Sequence, residues 1–311
     1  MNALEAARRV EVVLDEVRRS LRERYGWTHV EVNVEVQAAA RRVVLHGEVA
    51  VDRIRRRLAA GLQEVLPGFT VDVDSVRTME GGTWHALPHA PSELLGARPG
   101  PGNDAPSIEL RYQDGPVQCL AKGEGGDAHV VRCRDGTVGW LAGPLGHRVS
   151  PPRLPMPWGE RHSPLTRATS AWLDVPYRLG GITEQGIDCS ALVQRLCADV
   201  LGVTLPRHST DQLQVGPVEG PGLGPGDLVF VWSDREASCH VGIGTGLTVV
   251  HASQSRARVV ADPISAVLRE ARTVMHVPFA AVVAFGQQVA GASSLVAAGF
   301  ELGRRPPVNS K

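Results

Sequence analysis

The chain has 311 residues, 43% of them hydrophobic, with 33 Lys+Arg balanced by 33 Asp+Glu. That length suggests two or three domains with packed cores, and the charge balance gives no global case for nucleic acid or an anionic membrane surface. No apolar run approaches the roughly 20 residues that span a bilayer, and five widely spaced cysteines form neither a disulfide framework nor a C-x-x-C zinc pattern.

In chain order, Met1 to Arg24 carries apolar residues at helical spacing (Val10, Val13, Leu14, Val17, Leu21). It lacks the uninterrupted apolar core and small-residue cleavage site of a signal peptide, so a cytoplasmic location is expected. Strand-like alternation follows through Val30, Val32, Val34 and Val36. A second strand, Arg42 to Val49, precedes an Arg-rich helix from Val51 to Val65, which Leu66-Pro67-Gly68 breaks before a strand through Phe69, Val71 and Val73. The pieces Val43–Val49 and Pro67–Val73 resemble a BON-type α/β module over residues 1–77. That resemblance implies a lipid or protein partner and no catalysis. Arg53, Arg55, Arg56 and Arg57 read as a solvated helix face.

Residues 78–106, rich in Gly, Pro, Ala and His, read as a linker. Short apolar alternations around turns then fill residues 107–150, and Cys119 and Cys133 are placed to face each other across a hairpin there, although free thiols are the simpler account. The ending Asp135-Gly136-Thr137-Val138-Gly139-Trp140-Leu141 resembles the closing strands of a bacterial SH3-like β-barrel, with Trp140 in its core. Residues 151–162 form a Pro-rich linker, residues 163–290 a helix, Gly-rich turn, helix and several strands, and residues 291–311 a tail of low order.

Cys189 begins an amphipathic helix whose apolar face is Leu192, Val193, Leu196, Cys197, Val200 and Leu201, with Gly202 as its stop. Asp188 or Ser190 caps the start, so the Cys189 sulfur lies beside free backbone N–H groups that favour a thiolate and can hold an oxyanion. Asp188 opposes this by raising the thiol pKa, and it is placed to hold a cationic substrate group. Cys197 lies about 12 Å along the helix, beyond disulfide reach, and reads as core.

Two histidines follow on a predicted hairpin, Cys239–Gly244 and Leu247–Ala252. A Thr245-Gly246 loop pairs His240 directly with His251, and a Gly244-Thr245 loop makes them diagonal on one face. A three-residue loop would put them on opposite faces. Cys239 points to the other side. Three readings stand at this point: a thiol nucleophile with base and orienter, two core histidines, or a zinc site formed by Cys189, His240 and His251.

Six motifs bear on that choice: Val175-Pro176-Tyr177-Arg178-Leu179-Gly180-Gly181, Asp188-Cys189-Ser190-Ala191-Leu192-Val193, Leu205-Pro206-Arg207-His208-Ser209, Pro225-Gly226-Asp227-Leu228-Val229-Phe230, His240-Val241-Gly242-Ile243-Gly244 and Val250-His251-Ala252-Ser253. In this order, across residues 165–287, they resemble the NlpC/P60 family of cysteine peptidases. The resemblance implies an α+β, papain-like fold with Cys189 as nucleophile, His240 as base and His251 as orienter. It places the Tyr177 hydroxyl near the scissile carbonyl and lines the substrate pocket with Asp188 and Ser190, the acidic group binding an L-alanine amine. It requires no cofactor or metal.

The implied reaction is hydrolysis of γ-D-glutamyl–diamino acid bonds in peptidoglycan stem peptides, with free fragments as substrates and the SH3-like unit closing one end of the cleft. Ala191 departs from the family's glycine and is expected to narrow the cleft, while His208 reads as surface. A silent peptidoglycan-binding protein and a thiol acyl or amide transferase are the alternatives.

Overall fold

In the computed structural model three larger sheets follow one another along the chain, with a two-stranded one before the last. The structure describes residues 3–25, 29–49, 52–79, 81–96, 107–123, 128–157, 159, 161–219, 223–233 and 236–301.

The first unit runs α1 (Ala3–Tyr25), β1 (Val30–Gln37), β2 (Arg42–Val49), α2 (Asp52–Val65) and β3 (Thr70–Thr78). β1 and β2 form an antiparallel hairpin, and α2 carries the chain across so that β3 pairs parallel with β2. The apolar stripe of α1 (Ala6, Val10, Val13, Leu14, Val17) meets that of α2 (Ile54, Leu58, Leu62) over Val43, Leu45 and Val49 of the sheet. Each fully buried leucine there contributes about 1.5–3 kcal/mol relative to exposure. Gly47, at φ 133°, lets β1 cross close by, since a Cβ would fall 2.1 Å from the Glu31 carbonyl oxygen.

The second unit is a six-stranded antiparallel sheet of β4 (Thr83–His85), β5 (Ser92–Leu95), β6 (Ser107–Leu110), β7 (Val117–Lys122), β8 (Ala128–Arg132) and β9 (Val138–Ala142), in the order β4-β7-β8-β9-β5-β6. β4 and β5 fall within residues 78–106, which the sequence presents as a linker. Their backbones instead pair with β7 and β9, so this unit begins near residue 83. Residues 97–106 of that stretch lie outside the described residues. Among the described residues no pairing joins β4 to β6. Cys119 sits opposite Val131 rather than Cys133, and both thiols are free and buried.

Both faces of this middle sheet are covered. Val130, Val138 and Trp140 join the core of the first unit, with the Trp140 ring 6.0 Å from that of His29. Val131, Leu141, Leu94 and Ile108 join the core of the third. Alternation along a single strand, Val130 one way and Val131 the other, produces this sharing.

The third unit contains α3 (His162–Ala168), a small hairpin of β10 (Ile182–Thr183) and β11 (Gly186–Ile187), α4 (Cys189–Leu196) and α5 (Ser209–Gln212). It continues through β12 (Val218–Glu219), β13 (Leu228–Ser233), β14 (Glu236–Gly244), β15 (Thr248–Ser253), β16 (Arg258–Pro263), α6 (Ile264–Glu270), β17 (Thr273–Val277) and α7 (Phe279–Val289). Its antiparallel sheet has the order β12-β17-β13-β14-β15-β16. α4 packs on the face formed by Phe230, Cys239, Val241 and Ile243. The mixed α+β architecture agrees with the sequence expectation.

Two expected irregular segments are built into the fold. Leu154, in the Pro-rich stretch, is buried, its N–H donating to the Ala292 carbonyl (2.7 Å) while its own carbonyl accepts from Gly291 (2.9 Å). Past α7, Leu295 is fully buried and donates to the Arg134 carbonyl (2.9 Å), and Phe300 stacks edge-on against Phe285. Buried apolar side chains thus order residues 291–301; residues 302–311 of the expected tail lie outside the described residues. Among the described residues no helix is long and apolar enough to cross a membrane.

Candidate active site

Asp188 starts the site, in extended conformation at the N-cap of α4, its carboxylate accepting the Ala191 N–H at 2.8 Å. It also accepts from the Gly180 N–H (2.9 Å), the Ser190 hydroxyl (3.1 Å) and both terminal nitrogens of Arg207 (2.9 and 2.5 Å). Burial alone would raise this carboxyl, but the Arg207 charge and these hydrogen bonds outweigh it and hold Asp188 below the usual carboxylate range.

Five donors saturate a group with about four lone-pair sites. Asp188 therefore has nothing left for a substrate amine. Ser190 is buried as well, donating to Asp188 and accepting from Arg207 at 2.9 Å. The cation that this pair, expected to read substrate, holds within the fold is the Arg207 guanidinium. The sequence signal for Arg207 was the Pro-Arg of its motif, 19 positions beyond Asp188. Gln212 was missed too, and its amide ties the Ser190 and Pro206 carbonyls together (2.9 Å each). Ala191 is fully buried and faces the core, so its methyl does not narrow a cleft. His208, expected at the surface, is half-buried, and burial pushes its imidazole down to about 3.

The sheet opens where α4 begins. β13 and β14 stay paired from Leu228↔Ile243 to Val231↔His240, whereas β14 and β15 pair only at Ile243↔Val250 and Gly244↔Val249. Beyond that point the strands part, and the backbone N–H groups of Val241 and Ser190 act on the Cys189 thiol, drawing its pKa down. Cys189 keeps part of its surface exposed. Burial first, and Asp188 second, push its thiol up to about 12, against the opposing effects of Val241, Arg207 and Ser190. The helix start thus favours a thiolate less than burial disfavours it.

The hairpin turn decides the histidines. Thr245 and Thr248 close it, the Thr245 N–H donating to the Thr248 carbonyl at 2.8 Å, with Gly246 at φ 99° and Leu247 at the tip. This is a two-residue loop, Gly246-Leu247, one position later than the first expected loop and two later than the second. Parity survives the shift. His240 and His251 share a face as a diagonal pair, with Gly242 opposite His251. His240 Nε2 lies 2.8 Å from His251 Nδ1, with the rings edge-on at 85°. Gly242 makes room for this, because a Cβ there would fall 2.9 Å from the His251 Cβ and 2.8 Å from the Val250 carbonyl oxygen. Burial, then repulsion from His251, push His240 down to about 3 against the attraction of Asp188. The two rings bond each other rather than converging on a common point, unlike the zinc alternative.

Two further residues join the line. His251 Nε2 is 3.1 Å from Asp262 Oδ2, and Arg256 donates to both Asp262 oxygens at 2.6 and 3.0 Å. Asp262 stands opposite Val249 in the β15–β16 ladder, which puts it diagonal to His251. The signal was available in the four-residue Gln254–Ala257 turn, whose length fixes that register. A cavity of about 160 Å³ lies over this face, bordered by Val231, His240, His251, Ser253, Arg256 and Asp262. A larger one, about 320 Å³, sits behind α4 against the middle sheet and touches none of Cys189, His240 or His251.

Tyr177 lies in the segment leading to α4. Its N–H donates to the Ala257 carbonyl (2.8 Å), and it bridges to Ile187. α4 is also held from the middle unit, where Asp114 pairs with Arg195 and Asp135 accepts from Gln194 at 3.0 Å.

Residues 174–277 match the NlpC/P60 family. The probable endopeptidase NlpC of Escherichia coli K12 is 34% identical over 120 residues, covering 37% of this chain and 78% of that protein. The chain belongs to the NlpC/P60 family. The murein DD-endopeptidase MepS/murein LD-carboxypeptidase of E. coli K12 is 41% identical over 93 residues, 29% of this chain and 49% of that protein. The γ-DL-glutamyl hydrolase of Bacillus subtilis is 36% identical over 86 residues, 27% of this chain and 21% of that protein. The chain therefore spans about half the length of MepS and less of the Bacillus hydrolase. The NlpC/P60 match lies within the third unit.

Proposed function

We propose that this NlpC/P60 protein is a cysteine endopeptidase that hydrolyses γ-D-glutamyl–diamino acid bonds in peptidoglycan stem peptides. The observation that carries the reading is the opened strand pair. Val241, whose backbone N–H draws the Cys189 thiol pKa down, adjoins His240, whose Nε2 lies 2.8 Å from His251 Nδ1. The names of MepS and the γ-DL-glutamyl hydrolase support the substrate class.

In this mechanism His240 takes the Cys189 proton through Nδ1 as sulfur attacks the scissile carbonyl carbon. The Cys189 backbone N–H, together with Tyr177, stabilises the tetrahedral oxyanion. Collapse breaks the C–N bond, and His240 returns the proton to the departing amine. Water, deprotonated by His240, then cleaves the thioester and restores the thiol. We read the first unit as BON-like, serving a lipid or protein partner, and the middle one as SH3-like.

The test is a panel of stem peptides offering γ-D-glutamyl–diamino acid and D-alanyl–diamino acid bonds, incubated with wild type and Cys189→Ala and read by mass spectrometry. We expect cleavage at the γ-D-glutamyl bond by wild type alone. Cleavage only at D-alanyl bonds would replace the assigned specificity, and no cleavage at all would overturn the reading.

A further inference from the structure

We propose that Asp262, clamped by Arg256, is a positioning residue that sets the proton pattern of the His251–His240 pair, so that His240 keeps a bare Nδ1 for the Cys189 proton. The proposal rests on the reading of Cys189 as nucleophile and His240 as its base.

An ionised carboxylate only accepts hydrogen bonds. At 3.1 Å from Asp262, His251 Nε2 must carry the proton of that contact. The Nδ1 of a neutral His251 is then an acceptor, and the 2.8 Å contact beyond it needs its proton from His240 Nε2. A neutral His240 protonated at Nε2 has its lone pair on Nδ1. One carboxylate thereby fixes two tautomers in series, each of which an isolated imidazole leaves open.

Arg256 fixes the carboxylate in turn, occupying both oxygens from the far side. The turn that carries Arg256 is itself held, with the Arg256 N–H donating to the Ser253 hydroxyl at 3.3 Å and Ala257 in the left-handed region at φ 54°. When His240 becomes cationic during attack, the same line delivers a negative charge one ring away. No proton needs to leave His251.

Replacing Asp262 by asparagine gives a sharp expectation. Arg256 has only donors and sits closest to Oδ1 (2.6 Å, against 3.0 Å to the Oδ2 it shares with His251), so the single amide oxygen goes to the Oδ1 place and the NH2 takes the Oδ2 place facing His251 Nε2. That nitrogen would have to become an acceptor, moving the His251 proton to Nδ1 and the His240 proton to its own Nδ1. The base would then be capped. Alanine forces no such reversal. The isosteric substitution should therefore be the more damaging one, the opposite of what a packing role gives.

The experiment combines 15N spectra of the histidine rings in the full chain with kcat and KM on the hydrolysed peptide. In wild type His251 should be protonated at Nε2, and in Asp262→Asn at Nδ1. We expect kcat to fall by about 10- to 100-fold in Asp262→Asn with KM unchanged, to fall less in Asp262→Ala, and to recover in Asp262→Glu. A wild-type His251 protonated at Nδ1, an unchanged tautomer in Asp262→Asn, or Asp262→Ala at or below Asp262→Asn would overturn the proposal. Should wild type hydrolyse no peptide, the spectra still decide it, and the failure belongs to the proposed function.

Discussion

A thiol pushed up to about 12 beside an imidazole pushed down to about 3 is a neutral pair at rest. In the proposed reaction, proton transfer then accompanies attack rather than preceding it. Because the thiol is raised, thiolate grows with pH through the neutral range instead of being preformed. We expect alkylation of Cys189 by iodoacetamide to climb steadily to about pH 9 or beyond. A flat rate from acid to neutral pH would reveal a standing thiolate–imidazolium pair and contradict the neutral one. The pairing of His240 with His251 was legible because strand alternation puts them on one face, and Cys189 stood out by its residue type at a helix start. Arg207 and Asp262 were not legible, since each acquires its role from a partner that only the fold brings near. The environment of Asp188 was misjudged for that reason: its neighbour in sequence is a thiol, but its partner in space is a guanidinium.

Among the elements, the β14–β15 hairpin bears most directly on chemistry. Period-two alternation made the shared face of His240 and His251 readable, but the turn slipped by one position, because Thr245 and Thr248 add a closing pair that side-chain patterning does not reveal. Gly242 is the critical small residue of this hairpin. A methyl there meets backbone and the His251 stem together. We expect Gly242→Ala to lose more than tenfold in kcat, about the scale of a displaced general base, and about 1–3 kcal/mol of stability. A variant with wild-type kcat in the peptide assay and an unchanged melt would show that the ring pair does not need this space. The π-helical turn Cys197–Leu201 that continues α4 to Gly202 shows the same division. The stop was readable from the glycine at φ 72°, whereas the widened turn before it was not.

For the whole molecule, three units were legible in composition, but their edges were not. Gly, Pro and His in residues 78–106 look like linker chemistry, yet β4 and β5 pair into a sheet whose partners lie up to about 50 positions away along the chain. Such pairing leaves no periodic mark in so short a strand. The consequence of the two-faced middle sheet is mechanical coupling. Leu141 is fully buried in the core shared with the NlpC/P60 domain, and Trp140 in the core shared with the first unit. We expect one calorimetric transition for the full chain, with Leu141→Ala lowering it as a whole by about 2–5 kcal/mol. Separate transitions, with only one of them moved, would mean that the shared cores do not couple the units.

The parting of β14 from β15 has a meaning beyond placement. A regular sheet would continue its ladder past Ile243↔Val250, and here β14 leaves that rung unmade beside Val241, whose N–H acts on the Cys189 thiol. Reactivity and irregularity are here one defect. On the proposed function, mutations that zip the gap would make a sturdier sheet at the cost of activity, so stabilising this protein safely means working anywhere but on that seam.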